Sequence, residues 1–164
     1  MEQQPDSELG YSIVDLVAER LQIAQARLNT AYREFAEGDY DSAANRAFFG
    51  SIHRSIIAIH AMDRNHFRRH KDAIAKFNEK YVATGVFPRE FGRAIHKAAK
   101  LRDESDYIDF AHITKEQVKE TILFADKFLH EIRDYCEKHL HTQIALYCPD
   151  EDAERKADKE HDDR

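Results

Sequence analysis

Arg102 stands in the stretch AAKLRDESDYIDF, residues 98–110, followed at once by Asp103 and Glu104 and then by Asp106 and Tyr107. A guanidinium is a planar fork that matches a carboxylate or a phosphate by two parallel hydrogen bonds, and a tyrosine ring can stack on a base. The stretch therefore admits two readings. In one, Arg102 ends a helix and closes an ion pair with the acids behind it, fixing the corner into the next helix, with Arg46 competing for the same acids. In the other, Arg102, Tyr107 and Arg46 share a cleft that takes a nucleotide phosphate and its base. Acid–base catalysis near neutral pH calls for an imidazole, and none follows Arg102 until His112.

Other chemistries find little support in the residue pattern. His66 and His70 are four apart, a spacing that binds metal on a helix, yet they fall among Arg64, Arg68 and Arg69, whose charges oppose a cation. No Glu-x-x-His pair of the kind that holds a metal inside a helical bundle occurs. The glycines are dispersed, so neither a phosphate loop nor a nucleophile elbow is present. Cys136 and Cys148 form no CxxC motif and imply neither a zinc knuckle nor a disulfide framework. The expectation is a chain without metal or cofactor.

The elements that must position these residues read as helices. Apolar content of 42% in 164 residues suffices for one core, while 34% charged residues and a mean hydropathy of -0.72 leave a wet surface. Five glycines and three prolines are too few to punctuate a many-stranded β protein, which points to an all-α fold. No run of about 18 uncharged apolar residues and no leader pattern stand out, so a soluble, cytoplasmic chain with no membrane association is expected. Residues 64–102 carry eleven Lys or Arg against three acids, and residues 103–137 carry ten acids against four bases. Such a basic strip can meet the phosphates of a nucleotide or RNA, or be neutralised by the acidic one within a bundle or across a dimer.

Five segments carry the helical period. The first, Ser12 to Glu37, repeats Val17, Leu21, Ala24, Leu28, Ala31 and Phe35, with Ser12 and Asp15 as its start and Gly38 as its stop. The second, Tyr40 to Met62, follows after a very short connection and presents Ala44, Phe48, Ile52, Ile56 and Ile59, so the two form an antiparallel hairpin. A polar loop, residues 63–70, leads to a third helix, Lys71 to Thr84, closed by Gly85, and a fourth, Pro88 to Arg102, with Phe91, Ile95, Ala98 and Leu101 inward. Thr114 and Gln117 form a capping box for a long last helix ending near residue 140, with Val118, Ile122, Ala125, Leu129, Ile132 and Cys136 in its stripe. The expected domain spans residues 9–148, between a flexible N-terminus of residues 1–8 and an acidic flexible tail of residues 149–164 with almost nothing apolar to bury.

The order of these features resembles the prokaryotic HEPN domain family. YDSAANRAFFGSIHRSIIAIHA is similar to the family helix with an Arg-Ala-Tyr-Tyr-type motif, here Arg46, Ala47, Phe48 and Phe49, ahead of His53. RRHKDAIAKFNEKYVATGVFPREFG resembles its histidine-containing turn and the amphipathic helix ending in a Thr-Gly pair, Thr84 and Gly85. LRDESDY matches its Arg-x-x-x-Asp-Tyr element at Arg102, Asp106 and Tyr107. The resemblance covers roughly residues 14–135. It implies an up-and-down bundle, usually a homodimer, often paired with a minimal nucleotidyltransferase in a toxin-antitoxin or defence pair. Many relatives are metal-independent ribonucleases with an Arg-x(4-6)-His motif, whose imidazole does acid–base work while the guanidinium stabilises the charged transition state.

Here the window behind Arg102 is filled by Ser105, Asp106, Tyr107, Ile108 and Asp109 instead of a histidine. Matches elsewhere, such as Arg46 with His53 or Arg64 with His70, carry little weight, because fourteen arginines and ten histidines produce matches by chance. The candidate catalytic residues are Arg102, Arg46 and His53. The candidate binding residues are Arg46, Phe49, His53, His70, Lys71, Arg102, Asp106 and Tyr107. The leading expectation is a dimeric module that binds a nucleotide, RNA or a nucleotidyltransferase partner without chemistry of its own. A divergent metal-independent ribonuclease and a structural helical adaptor are the alternatives.

Overall fold

The structure, a computed structural model, describes residues 12–107 and 113–146, with side chains for all of these except 104–107. The tails expected at residues 1–8 and 149–164, and Cys148, lie outside the described residues. Five helices and no strand make up the described residues, an all-α up-and-down bundle.

α1 (Ile13–Ala36) begins where Ser12 Oγ accepts the Asp15 N–H at 3.1 Å and the Asp15 carboxylate accepts the Ser12 N–H at 3.4 Å. These two bonds occupy donors that the first turn leaves without helical partners. Gly38, at φ 83°, reverses the chain in the left-handed region that glycine enters without strain. Asp39 then caps α2 (40–62) by accepting the Ser42 N–H at 3.3 Å. The hairpin buries Val17, Leu21 and Leu28 of α1 against Phe48, Ile52, Ile56 and Ile59 of α2.

α2 is not uniform. Tyr40–Asn45 and Arg54–Met62 are α-helical, but Arg46–His53 between them winds as a π-helix. A repeat of four, as in Ala44, Phe48, Ile52 and Ile56, drifts by about 40° per step around an α-helix. The wider turn takes up that drift, and all four side chains stay buried.

α3 (70–82) is α-helical over His70–Phe77 and π-helical over Asn78–Val82. It is tied to α2 by His60, which is fully buried and donates its Nε2–H to the Ala73 carbonyl at 2.9 Å. α4 (Arg89–Tyr107) and α5 (Lys115–Leu140) complete the bundle, and α5 starts with the Thr114–Gln117 capping box. Phe77, Phe87, Phe91 and Phe128 pack ring to ring at 5.5–5.8 Å and join α3, α4 and α5. Burial of such rings supplies area and geometry together. The basic and acidic strips meet at Lys97 and Glu120, 3.2 Å apart across α4 and α5, an exposed pair of small energetic weight.

One boundary differs from expectation in a way that matters for the site. α4 continues past Arg102 to Tyr107, so Arg102 is a residue within the helix and not its end. The helix carries on through Asp103 and the backbone of residues 104–107. No helix among the described residues is long and apolar enough to cross a membrane.

Candidate functional site

The π-helical stretch of α2 gathers the chemistry. Phe48 and Ile52 point into the core, while Arg46, Phe49 and His53 lie on the same short segment at partial exposure. Phe49 is the hub. Its ring sits 4.7 Å from the His70 ring and 6.4 Å from the His53 ring, and the Arg102 guanidinium lies over it at 4.4 Å. A cation over an aromatic face is held by the ring quadrupole, worth about 0.5–2 kcal/mol depending on desolvation.

Arg102 also donates from Nη1 to Asp103 Oδ1 at 3.1 Å, so one acid partner is the next residue in the chain. Arg46 does not compete for that acid. Its Nη2 donates to Glu34 Oε1 of α1 at 3.2 Å, a partner from the hairpin mate of α2 that the sequence pattern did not single out.

His53 and His70 touch. Nδ1 of His70 and Nε2 of His53 are 3.0 Å apart, with the rings nearly perpendicular, so one nitrogen donates its hydrogen to the other. Burial, then the neighbouring His70, then Arg54 and His60 push the His53 pKa down to about 4, and the ring is neutral at pH 7. The His60–Ala73 hydrogen bond ties α2 to α3 nearby, since Ala73 follows His70 by three residues.

Beside Phe49 opens a polar recess of about 260 Å³, lined by Arg27, Asn45, Arg46, Phe49, Gly50 and Arg54. Three arginines line it. Arg27 reaches it only because Gly50 has no side chain. A Cβ there would stand 2.6 Å from Arg27 Cβ and 3.1 Å from Arg27 Cγ, so α1 passes directly over this point of α2. Arg27, Arg54 and Gly50 were not among the residues expected from sequence. Nothing in the spacing of α1 says which of its exposed arginines crosses α2 at a glycine.

The remaining expected residues fall as follows. Lys71, next to His70, faces away from this recess into a groove between α3 and α4. Asp106 and Tyr107 belong to the last turn of α4, and their side chains lie outside the described residues. His66 and His70 form no group with a third metal-binding side chain among the described residues.

The HEPN domain model matches residues 17–135, most of the chain. The chain belongs to the HEPN family. It is also similar to a UPF0332 protein of Thermotoga maritima, 28% identical over 96 residues, which cover 58% of this chain and 72% of that protein. In this HEPN domain the matched segment takes in every element described above, from Val17 of α1 to Tyr135 of α5. The Arg46-Ala47-Phe48-Phe49 stretch lies in the π-wound part of α2, where Phe49 stands between the arginine recess and the histidine pair.

Proposed function

We propose that this HEPN-domain protein binds the phosphate groups of a nucleotide or an RNA strand and acts without catalysis of its own, as the binding member of a pair with a nucleotidyltransferase. The observation that carries the reading is the recess where Arg27, Arg46 and Arg54 converge beside the Phe49 ring. Guanidinium groups match phosphate oxygens in shape and charge, and an adjacent ring accepts a base by stacking. A reaction that cleaves a phosphodiester also needs a proton delivered to the leaving oxygen. Burial and the neighbouring His70 hold His53 largely in its neutral form near pH 7, so it is poorly matched to delivering that proton.

The test is titration of the purified protein with mononucleotides and short RNA, read by change in melting temperature. A ligand at a hundredfold excess over its Kd adds about 2.7 kcal/mol of stability. Arg46→Ala and Arg54→Ala should each remove that shift, and a melting temperature indifferent to every phosphate-bearing ligand would overturn the reading. Co-expression with a minimal nucleotidyltransferase tests the pairing, with co-elution as the expected result.

The 3.0 Å contact between His53 and His70 favours a second reading, metal-independent RNA cleavage. Under it, RNA incubated with the protein in EDTA is cut, and His53→Ala abolishes the cutting while leaving the fold intact.

A further inference from the structure

After α5 the chain turns back on itself. His141 takes the left-handed conformation at φ 51°, Ile144 is buried, and the Ile144 N–H donates to Glu137 Oε2 at 2.8 Å. The Ala145 carbonyl then accepts from Gln22 Nε2 of α1 at 3.4 Å, which holds the neighbouring Leu146 beside α1. Residues 149–164 carry eight acids against four bases, and Asp150, Glu151, Asp152 and Glu154 all precede the first base, Arg155. An acidic peptide therefore sets out from a known point on α1.

Arg20 stands two residues before Gln22 on α1, and Arg27 five residues after it. With Arg46 and Arg54 of α2 they follow the seam between the two helices. Arg20 Nη1 donates across that seam to the Ile57 carbonyl at 3.0 Å, and Arg27, Arg46 and Arg54 line the recess. Acids are scarce there. Arg46 has Glu34, and Glu19 lies near Arg20, but Arg27 and Arg54 have no carboxylate partner among the described residues. Burial and the Arg54 charge push the Arg20 pKa below its ordinary value, a sign that cations crowd along the seam. A carboxylate relieves that crowding and fits the guanidinium fork.

The distance is short. From Gln22 to Arg27 the path is about 7.5 Å along α1 and about 140° around it, passing the exposed Ala26, or about 15 Å in all. Five residues of extended chain, Leu146 to Glu151, span up to about 17 Å.

We infer that the acidic segment beginning at Asp150 docks along this seam with its carboxylates in the arginine recess, so that the chain carries its own competitor for the site. The inference takes the recess from the proposed function and adds what controls entry to it. A tethered competitor acts at an effective concentration in about the millimolar range, whatever the concentration of the protein, and salt weakens it as the Debye length shrinks.

The test uses a fluorophore on Cys148, which adjoins the segment, read by anisotropy. Cys136 is fully buried with its thiol pushed up to about 12, so it does not take the label near pH 7. Anisotropy should fall in 1 M salt, on addition of inorganic pyrophosphate, in Arg27→Glu, and in a chain carrying Asp150→Asn, Glu151→Gln, Asp152→Asn and Glu154→Gln together; Arg54→Ala stands in if Arg27→Glu fails to fold. Lys138→Glu makes the same change of charge at an exposed position in the last turn of α5, away from the seam, and should change nothing. The neutralised chain should bind pyrophosphate about two- to tenfold more tightly than the wild type, the ratio for a site half to nine-tenths occupied by its own segment. Anisotropy indifferent to salt, to the seam variants and to neutralisation overturns the inference, and the recess reading then survives if pyrophosphate still raises the melting temperature. Equal responses to Lys138→Glu and Arg27→Glu mean diffuse attraction and overturn it as well, as does a signal lost on dilution, which puts the segment on a second copy. Docking that pyrophosphate neither displaces nor competes with supports the seam contact and removes the phosphate reading of the recess.

Discussion

Replacing Gly50 by alanine sets two effects of opposite sign against each other at one position. In a helix interior, alanine is favoured over glycine by about 1 kcal/mol, because glycine gives up more backbone freedom on folding. Packing opposes it. The new Cβ would lie 2.6 Å from Arg27 Cβ, where carbon atoms ordinarily rest about 3.5–4.0 Å apart. Arg27 Cβ is bonded to the backbone of α1 and cannot swing aside, so relief requires α1 to retreat from α2 by about 1 Å. α1 and α2 share a core of fully buried side chains, among them Leu21, Leu28, Ile52 and Ile56, and opening that seam is overpacking of the kind that costs about 1–3 kcal/mol. With the clash at a backbone-anchored atom the cost lies in the upper part of that range, and the net expectation is a destabilisation of about 1–2 kcal/mol. Equilibrium urea unfolding measures it as a lower midpoint at unchanged slope. The decisive comparison is the same change in an Arg27→Gly background, where both clashing atoms are gone and Gly50→Ala should stabilise by about 1 kcal/mol. If Gly50→Ala stabilises the wild type as much as it stabilises that background, α1 does not cross α2 at this glycine, and the route by which Arg27 enters the recess is wrong.

Protonation of His53 is disfavoured in the folded chain, whose pKa of about 4 lies below the ordinary 6.5, so the unfolded chain takes up the proton first. Stability is therefore complete above about pH 6.5 and falls towards pH 4, by an amount on the order of 1 kcal/mol once the partial exposure of the ring is allowed for; urea midpoints at about pH 7.5 and pH 5 should differ less in His53→Gln than in the wild type. Tyr81 donates its hydroxyl to Asp63 Oδ2 at 2.5 Å from a ring that is almost wholly buried, and Tyr81→Phe should cost about 1–2 kcal/mol in the same assay. Thr114→Ala removes the side-chain acceptor of the α5 capping box and should cost about 1 kcal/mol, with Thr114→Ser restoring most of it.

Much of this architecture is legible in the order of residue types. Capping pairs state their own positions, because a short oxygen-bearing side chain within three residues of an unpaired N–H finds it whatever the rest of the chain does: Ser12 with Asp15 and Thr114 with Gln117 behave so. The stripes from Val17 to Ala31 and from Val118 to Cys136 are buried as their period requires. The site is less legible. Phe49 with His53 and His70 could be nominated from the resemblance, yet the partner of Arg46 is Glu34, supplied by a different helix, and Arg102 lies within α4.

By itself, then, the order of residues determines the helices, their caps and their inward faces, since each rests on interactions between positions three or four apart that the backbone brings together locally. Only the packing of helix on helix decides that Arg27 meets Gly50, that His70 meets His53, and that Arg102 lies over Phe49. Those pairs are separated along the chain by many turns. Their distances follow from crossing points and from the π-winding of Arg46–His53, which are outcomes of how the whole core closes and not of any short stretch of sequence.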